Sequence, residues 1–448
     1  TSATERVKAL TQYPVIGGLR PAMVLRTSGD ALEALTTDGQ TVSMGYQGWR
    51  WTSRSPSQML HPGDVIYLRG DSKHKLRLAQ VPRVQGALVS LNPSDGSVLA
   101  LIGGFDFGQS NFNRATQALR QPGSNIKPFI YSAALENGFT AASLVSGAPV
   151  VIEDDISGDW RPQNYSRKVF GPTRLREALS KSLNLVSVRL VRALGVEAVR
   201  DYLEKFGFDR ARLPQGLSLA LGSATVTPIE IARAYGVFAN GGYLVEPFFI
   251  ARVEDPSGRI VEYANRQMLC SGCGIPISES SDSSQPSPDL RFSQQVVSPQ
   301  NAFILDSMMR EVIRSGTGRA AGSLQRDDLA GKTGTTNNYF DAWFTGYSSN
   351  IVATVWVGFD QPKDLGQGES GARAALPIWV DFMKTALSGK AHALQRPPGN
   401  IIRVRVNRRS GLPTDTDDPD GYSEYFVAGT EPTTPHAEFQ VDPVEGLF

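Results

Sequence analysis

Three apolar strands crowded into residues 329–359 constrain this chain more than any other feature. The runs 329–332, 342–345 and 351–359 are separated by short polar links and read as neighbouring strands of one sheet. Their remaining partners lie far upstream. Residues 87–91 and 97–102 flank Asn92-Pro93-Ser94-Asp95-Gly96, a strong turn, and read as a hairpin. Between them, from about 124 to 240, the apolar spacing is helical. Thr227-Pro228-Ile229-Glu230 is a capping box with proline at the first helical position, predicting a helix that closes at Gly241-Gly242. Ser298-Pro299 opens another helix, to Ile313, and a last one is expected over 376–387. Strands, a helical block and strands again define an α+β domain whose antiparallel sheet closes late in the chain.

The first eighty or so residues differ. Short strands at 21–26, 31–36, 41–45 and 65–68, punctuated by Thr37-Asp38-Gly39-Gln40 and Pro62-Gly63-Asp64, predict a small β-barrel. Trp49 and Trp51 read as a half-exposed aromatic strand of that barrel, with arginines interleaved too briefly for an oligonucleotide surface. The expected division is a barrel over 1–84 and the α+β domain over 85–448. Within the latter, 245–253 and 259–263 read as a hairpin, 270–293 as a Ser- and Pro-rich flexible excursion, and the end as a Pro- and Asp-rich tail. A chain of 448 residues suits two or three domains, and 40% hydrophobic with 20% charged residues suits globular cores. A formal net charge of +1 gives no electrostatic reason to expect nucleic acid. No run of about 18 apolar residues occurs to span a bilayer.

Chemistry enters at Ser124-Asn125-Ile126-Lys127. On a helix, this spacing puts hydroxyl and amine on one face, within hydrogen-bonding reach. Phe129, Ile130, Ala133 and Ala134 supply a buried stripe, and Pro128 is tolerated in a first turn. A lysine acts as a base only when neutral, so burial or a nearby cation must lower its pKa. The four histidines, His61, His74, His392 and His436, have no nucleophile or metal neighbourhood, so a Ser-His-Asp triad fits poorly. The copy Ser72-Lys73-His74-Lys75 lacks an apolar stripe and reads as a solvated turn. Ser182-Leu183-Asn184 offers a hydroxyl to relay a proton and an amide to hold a carbonyl. Gly331-Lys332-Thr333-Gly334-Thr335-Thr336 sits on a strand, with a cation and hydroxyls suited to a carboxylate. The backbone amides of Ser124 and Thr335 would form an oxyanion hole, one such donor being worth about 3 kcal/mol in the transition state.

Ser-x-x-Lys, Ser-x-Asn and Lys-Thr-Gly in this order are the motif set of penicillin-binding proteins and class A β-lactamases. The chain resembles the transpeptidase domain of a class A, 1a-type penicillin-binding protein. The resemblance extends to 115–124 before the serine, Ser218-Leu219-Ala220-Leu221-Gly222-Ser223, Ala239-Asn240-Gly241-Gly242, Gly316-Thr317-Gly318 and Asp341-Ala342-Trp343-Phe344. The barrel is similar to the OB-like insert of that type. The resemblance implies a penicillin-binding/serine β-lactamase-like fold and a D,D-transpeptidase. Ser124 would be acylated by a D-Ala-D-Ala stem peptide of peptidoglycan and resolved by an amine acceptor. Lys127, Ser182, Asn184 and Lys332 would assist, and Thr333, Gly334 and Thr335 would bind substrate. It implies acylation by β-lactam antibiotics, neither cofactor nor metal, and no nucleic acid. It also implies a place at the periplasmic face of the bacterial inner membrane, with envelope proteins as activators. The chain is expected to be a soluble fragment without the family's membrane helix or glycosyltransferase half.

The alternatives are a D,D-carboxypeptidase or β-lactamase on the same scaffold, and a non-enzymatic β-lactam sensor. Cys270 and Cys273 read equally as a local disulfide or as two idle thiols. Gly316-Thr317-Gly318-Arg319-Ala320-Ala321 follows a helix, not a strand, against a dinucleotide site. Asp415, Asp417, Asp418 and Asp420 are out of register for a calcium loop. Residues 403–409 alternate Val with Arg as a half-exposed strand does.

Overall fold

The structure is a computed structural model; it describes residues 2–70, 76–152, 159–263, 267–269 and 291–432. Cys270, Cys273, the Ser72–Lys75 copy, His436, most of the 270–293 excursion and the tail beyond 432 lie outside the described residues. The chain forms two compact units, Thr1–Gln85 with Gly104–Phe112, and Gly86–Gly103 with Asn113–Phe448.

The first unit opens with α1 (Ala3–Leu10), a helix the sequence reading lacks, although Ser2-Ala3-Thr4-Glu5 is a capping box with both reciprocal bonds formed. Five strands follow: β1 (Arg20–Thr27), β2 (Leu32–Thr36), β3 (Thr41–Met44), β4 (Val65–Gly70) and β5 (Leu76–Ala79). They form an antiparallel sheet in the order β3-β2-β1-β4-β5. The fifth strand was not expected. The segment around Trp49 and Trp51 is helical, not a strand: α2 (Tyr46–Trp49) buries Trp49 with Ala22, Leu32, Ile66 and Leu78, while Trp51 is exposed and donates to Leu78 O at 2.7 Å.

In the second unit, β6 (Gln85–Leu91) and β7 (Val98–Ile102) form the expected hairpin. The helical block includes α3 (Lys127–Glu136), α4 (Leu175–Ser180), α5 (Asn184–Leu194), α6 (Pro228–Ala239) and α7 (Pro299–Arg314). Thr227 caps α6, with Glu230 Oε2 accepting from Thr227 N at 2.7 Å. The late strands are β8 (Ala330–Thr335), β9 (Asp341–Ser348) and β10 (Ile351–Gly358), followed by α8 (Leu376–Ala386). The sheet order β8-β9-β10-β6-β7 joins the beginning and end of the domain. Period-2 alternation sends Val352 and Trp356 into the core under the helical block, and Ile351, Ala353 and Val355 toward Trp379 and Met383 of α8. A final hairpin pairs β11 (Ile401–Asn407) with β12 (Gly421–Val427), which includes the Val/Arg alternation. The hairpin expected from 245–253 and 259–263 is shorter, Arg252–Glu254 with Ile260–Tyr263; upstream of it, Tyr243–Leu244 pairs with Gln294–Gln295.

Candidate active site

Ser124 lies in the 3-10 turn Gly123–Ile126, which runs straight into α3, and Pro128 falls in that helix's first turn. The helix is buried all round, from Lys127 through Ala134, rather than along one stripe. That central position removes the Lys127 amine from water: the residue is 0% exposed. Its Nζ donates to Ser182 O at 2.8 Å and Asn184 Oδ1 at 2.7 Å, and more loosely to Ser182 Oγ at 3.5 Å. The expected Ser124–Lys127 hydrogen bond is not among these. Asn184 also departs from expectation: its amide is held by Lys127 and, through Nδ2, by Gln163 O at 2.8 Å.

Lys332 projects from the face of β8 that looks onto the helical block and is also 0% exposed. Its Nζ donates to Ser182 Oγ at 2.8 Å and Thr333 O at 3.1 Å. Two buried lysines thus converge on one serine. Burial lowers the Lys332 pKa to about 7, and burial together with the Lys332 charge pushes Lys127 well below the ordinary lysine value.

Ser182 reaches this point through a strained turn. Its N–H donates to Leu179 O and that of Leu183 to Ala178 O, the paired bonds of a Schellman motif at the end of α4. The residue in the left-handed position is usually glycine, yet Ser182 stands there with φ +57°. Such a conformation costs a side chain about 1 kcal/mol or more. Ser182→Gly is therefore expected to be about 1 kcal/mol more stable than Ser182→Ala in urea unfolding, since both lose the hydroxyl and only glycine relieves the strain. Equal stabilities would reject the strain.

Backbone packs directly on backbone beneath the nucleophile turn. A Cβ on Gly123, whose φ is +53°, would sit 2.6 Å from Thr335 O and 3.2 Å from Thr335 N; one on Gly222 would sit 2.0 Å from Gly123 O. These glycines bring the end of β8 and the 217–222 segment against residue 123. Thr335 Oγ1 accepts from Gly371 N at 3.0 Å, which leaves its proton to donate; Thr333 Oγ1 pairs with Thr317 Oγ1 at 2.7 Å.

Several supporting residues escaped the sequence reading. Asn125 ties the turn to β9 through Thr345 Oγ1 at 3.1 Å, and its carbonyl accepts from Tyr235 of α6 at 2.8 Å. Arg120 Nε meets Asp341 at 2.7 Å, and Trp356 Nε1 donates to the same oxygen at 2.8 Å. Trp343 Nε1 holds Gln121 O at 2.8 Å. The 115–124 and 341–344 stretches, which carry the family resemblance, thus brace the approach to Ser124. Asn164 Oδ1 accepts from Asn184 N at 2.9 Å, and Tyr165 OH meets Tyr339 OH at 3.0 Å.

The three sequence motifs are thus brought together on helix, turn and strand, with two buried lysines converging on Ser182. The family model described as "Penicillin binding protein transpeptidase domain" matches residues 86–384, and "Penicillin-binding protein OB-like domain" matches 1–84. Penicillin-binding protein 1A of Pseudomonas aeruginosa is 42% identical over 94% of this chain, and that of Escherichia coli is 39% identical over 96%. The chain spans 56% and 58% of their lengths. A crystal structure of penicillin-binding protein 1A from Haemophilus influenzae superposes with a TM-score of 0.89 at 36% identity, covering 97% of this chain and 66% of that one. The PonA1 protein of Mycobacterium tuberculosis in complex with penicillin V matches 71% of this chain and 82% of that one, with a TM-score of 0.56 at 26% identity. The chain belongs to the penicillin-binding proteins and carries the transpeptidase and OB-like domains of their 1A type. No described helix is long and apolar enough to cross a membrane.

Proposed function

We propose that this chain is a serine D,D-transpeptidase in which Ser124 attacks the penultimate D-Ala carbonyl of a peptidoglycan stem peptide. The convergence on Ser182 of Lys127, one turn after Ser124, and of Lys332 carries this reading. A neutral lysine amine has two hydrogens and one lone pair. At Lys127 the hydrogens are engaged by Ser182 O and Asn184 Oδ1, so the lone pair is left for the Ser124 proton. Contacts between a nucleophile and its base tighten around bound substrate, and the Ser124–Lys127 pair would close in the same way.

Acylation then proceeds with balanced protons. Ser124 Oγ bonds to the carbonyl carbon, and its proton passes to Lys127. Collapse of the tetrahedral intermediate expels the terminal D-Ala, whose amine takes up a proton relayed through the Ser182 hydroxyl. The amides of Ser124 and Thr335 would hold the oxyanion. The terminal carboxylate would lie by Lys332, Thr333, Gly334 and Thr335, and its negative charge would keep Lys332 protonated. An amine of a second stem peptide takes the acyl group and forms the cross-link. β-Lactams would acylate Ser124 in the same way. The substrate places this work at the periplasmic face of a bacterial inner membrane, alongside envelope-protein activators.

The test is to incubate the protein with a labelled penicillin, locate the adduct by peptide mass spectrometry and follow its release. A slowly released adduct on the peptide carrying Ser124 is expected. Label on another residue would overturn the nucleophile, and rapid turnover would replace the transpeptidase with a hydrolase.

A further inference from the structure

The β11–β12 hairpin lies beyond the matched transpeptidase segment, which ends at residue 384, yet it drives a buried carboxylate into the helical block. Glu424 of β12 is 1% exposed. Arg176 of α4 grips it with both arms, Nε to Oε2 at 2.7 Å and Nη2 to Oε1. The same guanidinium donates to Ser307 O at 2.7 Å and Ser307 Oγ at 2.8 Å on α7. Tyr422 OH and Tyr425 N complete the carboxylate's shell at 3.1 and 2.9 Å.

The hairpin already has apolar anchorage. Val406 and Phe426 pack with Ala142, and the Tyr425 ring meets Phe303 edge-on at 5.1 Å. A buried ion pair adds little stability beyond such packing, because both charges lose their water. What it adds is direction: a forked guanidinium fixes the orientation of the helix that carries it. That helix has six residues and ends in the strained turn presenting Ser182. At its far end, Thr317 N donates to Ser180 O at 3.1 Å, so α4 is pinned at two points leading into the turn.

We propose that Arg176 and Glu424 are positioning residues: the C-terminal hairpin clamps α4 and thereby holds Ser182 between Lys127 and Lys332. This rests on Ser182 acting as the proton relay proposed above. The test compares wild type, Glu424→Gln and Arg176→Met/Glu424→Leu, all in the full chain. The double variant leaves no charge unpaired, so it recovers stability while still lacking the clamp.

Penicillin acylation should slow about 10-fold or more in its limiting rate in both variants, as misplacement of a catalytic group predicts, with half-saturation nearly unchanged. If the double variant regains both stability and rate, the pair is merely structural and the proposal falls. Hydrogen exchange over 175–185 gives a reading independent of acyl transfer. Faster exchange confined to that segment is expected in both variants, and unchanged exchange would overturn the clamp. A wild type that takes no penicillin would instead reject the transpeptidase reading, and the exchange measurement would still decide whether the hairpin holds α4.

Discussion

A Ser124→Ala variant is expected to take up no covalent penicillin at all, and Lys127→Ala to take it up roughly 10³-fold more slowly, the usual scale for losing a general base. Near-UV circular dichroism checks that both remain folded. The Lys127 effect depends on its protonation. Because burial first, and the Lys332 charge second, hold its pKa well below the ordinary value, the amine is ready to accept a proton without strong alkali. Acylation in wild type should therefore rise with pH through this depressed pKa and then level. A pH–rate profile identical in wild type and Lys127→Ala would assign the base to another group.

Lys332→Met is expected to stabilise the protein while impairing its chemistry. The folded-state pKa of about 7 lies below the ordinary lysine value of 10.5, so the unfolded chain binds the extra proton more readily. The stability cost is present in full below pH 7 and fades as the pH rises toward 10.5; at neutral pH it is on the order of 4 kcal/mol. The two hydrogen bonds made by Nζ offset about 1 kcal/mol each. A net gain of about 2 kcal/mol is left at pH 7, measurable by urea unfolding and shrinking in alkali. Removing this cation also raises the Lys127 pKa, so the rising limb of acylation should move to higher pH. Lower stability at pH 7 would refute the depressed Lys332 pKa, and an unmoved limb would show that Lys127 does not sense the Lys332 charge.

The catalytic candidates were legible because each motif is local and sits where an element begins or turns: Ser124 before α3, Ser182 after α4, Lys332 on β8. Helix starts at Thr227 and Ser298 were equally plain from side-chain caps and prolines. What escaped was set by distance or by conformation. Asn125, Thr345 and Tyr235 meet across 220 and 110 residues, which no local pattern announces. The left-handed Ser182 was hidden because a serine there looks ordinary, whereas glycine would have marked the turn. Strand β5 has only four residues with Arg77 among them, too short to register as alternation. Nothing local marks the carboxylate of Glu424, since its partner lies 248 residues away.

The unit that holds β1–β5 includes Gly104–Phe112, a segment that follows the first hairpin of the other unit. Asp106 accepts from Gly17 N at 2.8 Å, and the Phe105 ring fills the space beside Gly17 so closely that a Cβ there would lie 2.5 Å from it. On the ribosome, the N-terminal unit cannot finish maturing when residue 85 emerges. It must wait until β6 and β7 have been synthesised and residue 112 has cleared the exit tunnel. Nascent chains released at residue 90 should therefore be cut by protease at the Gly17 loop more readily than chains released at residue 115.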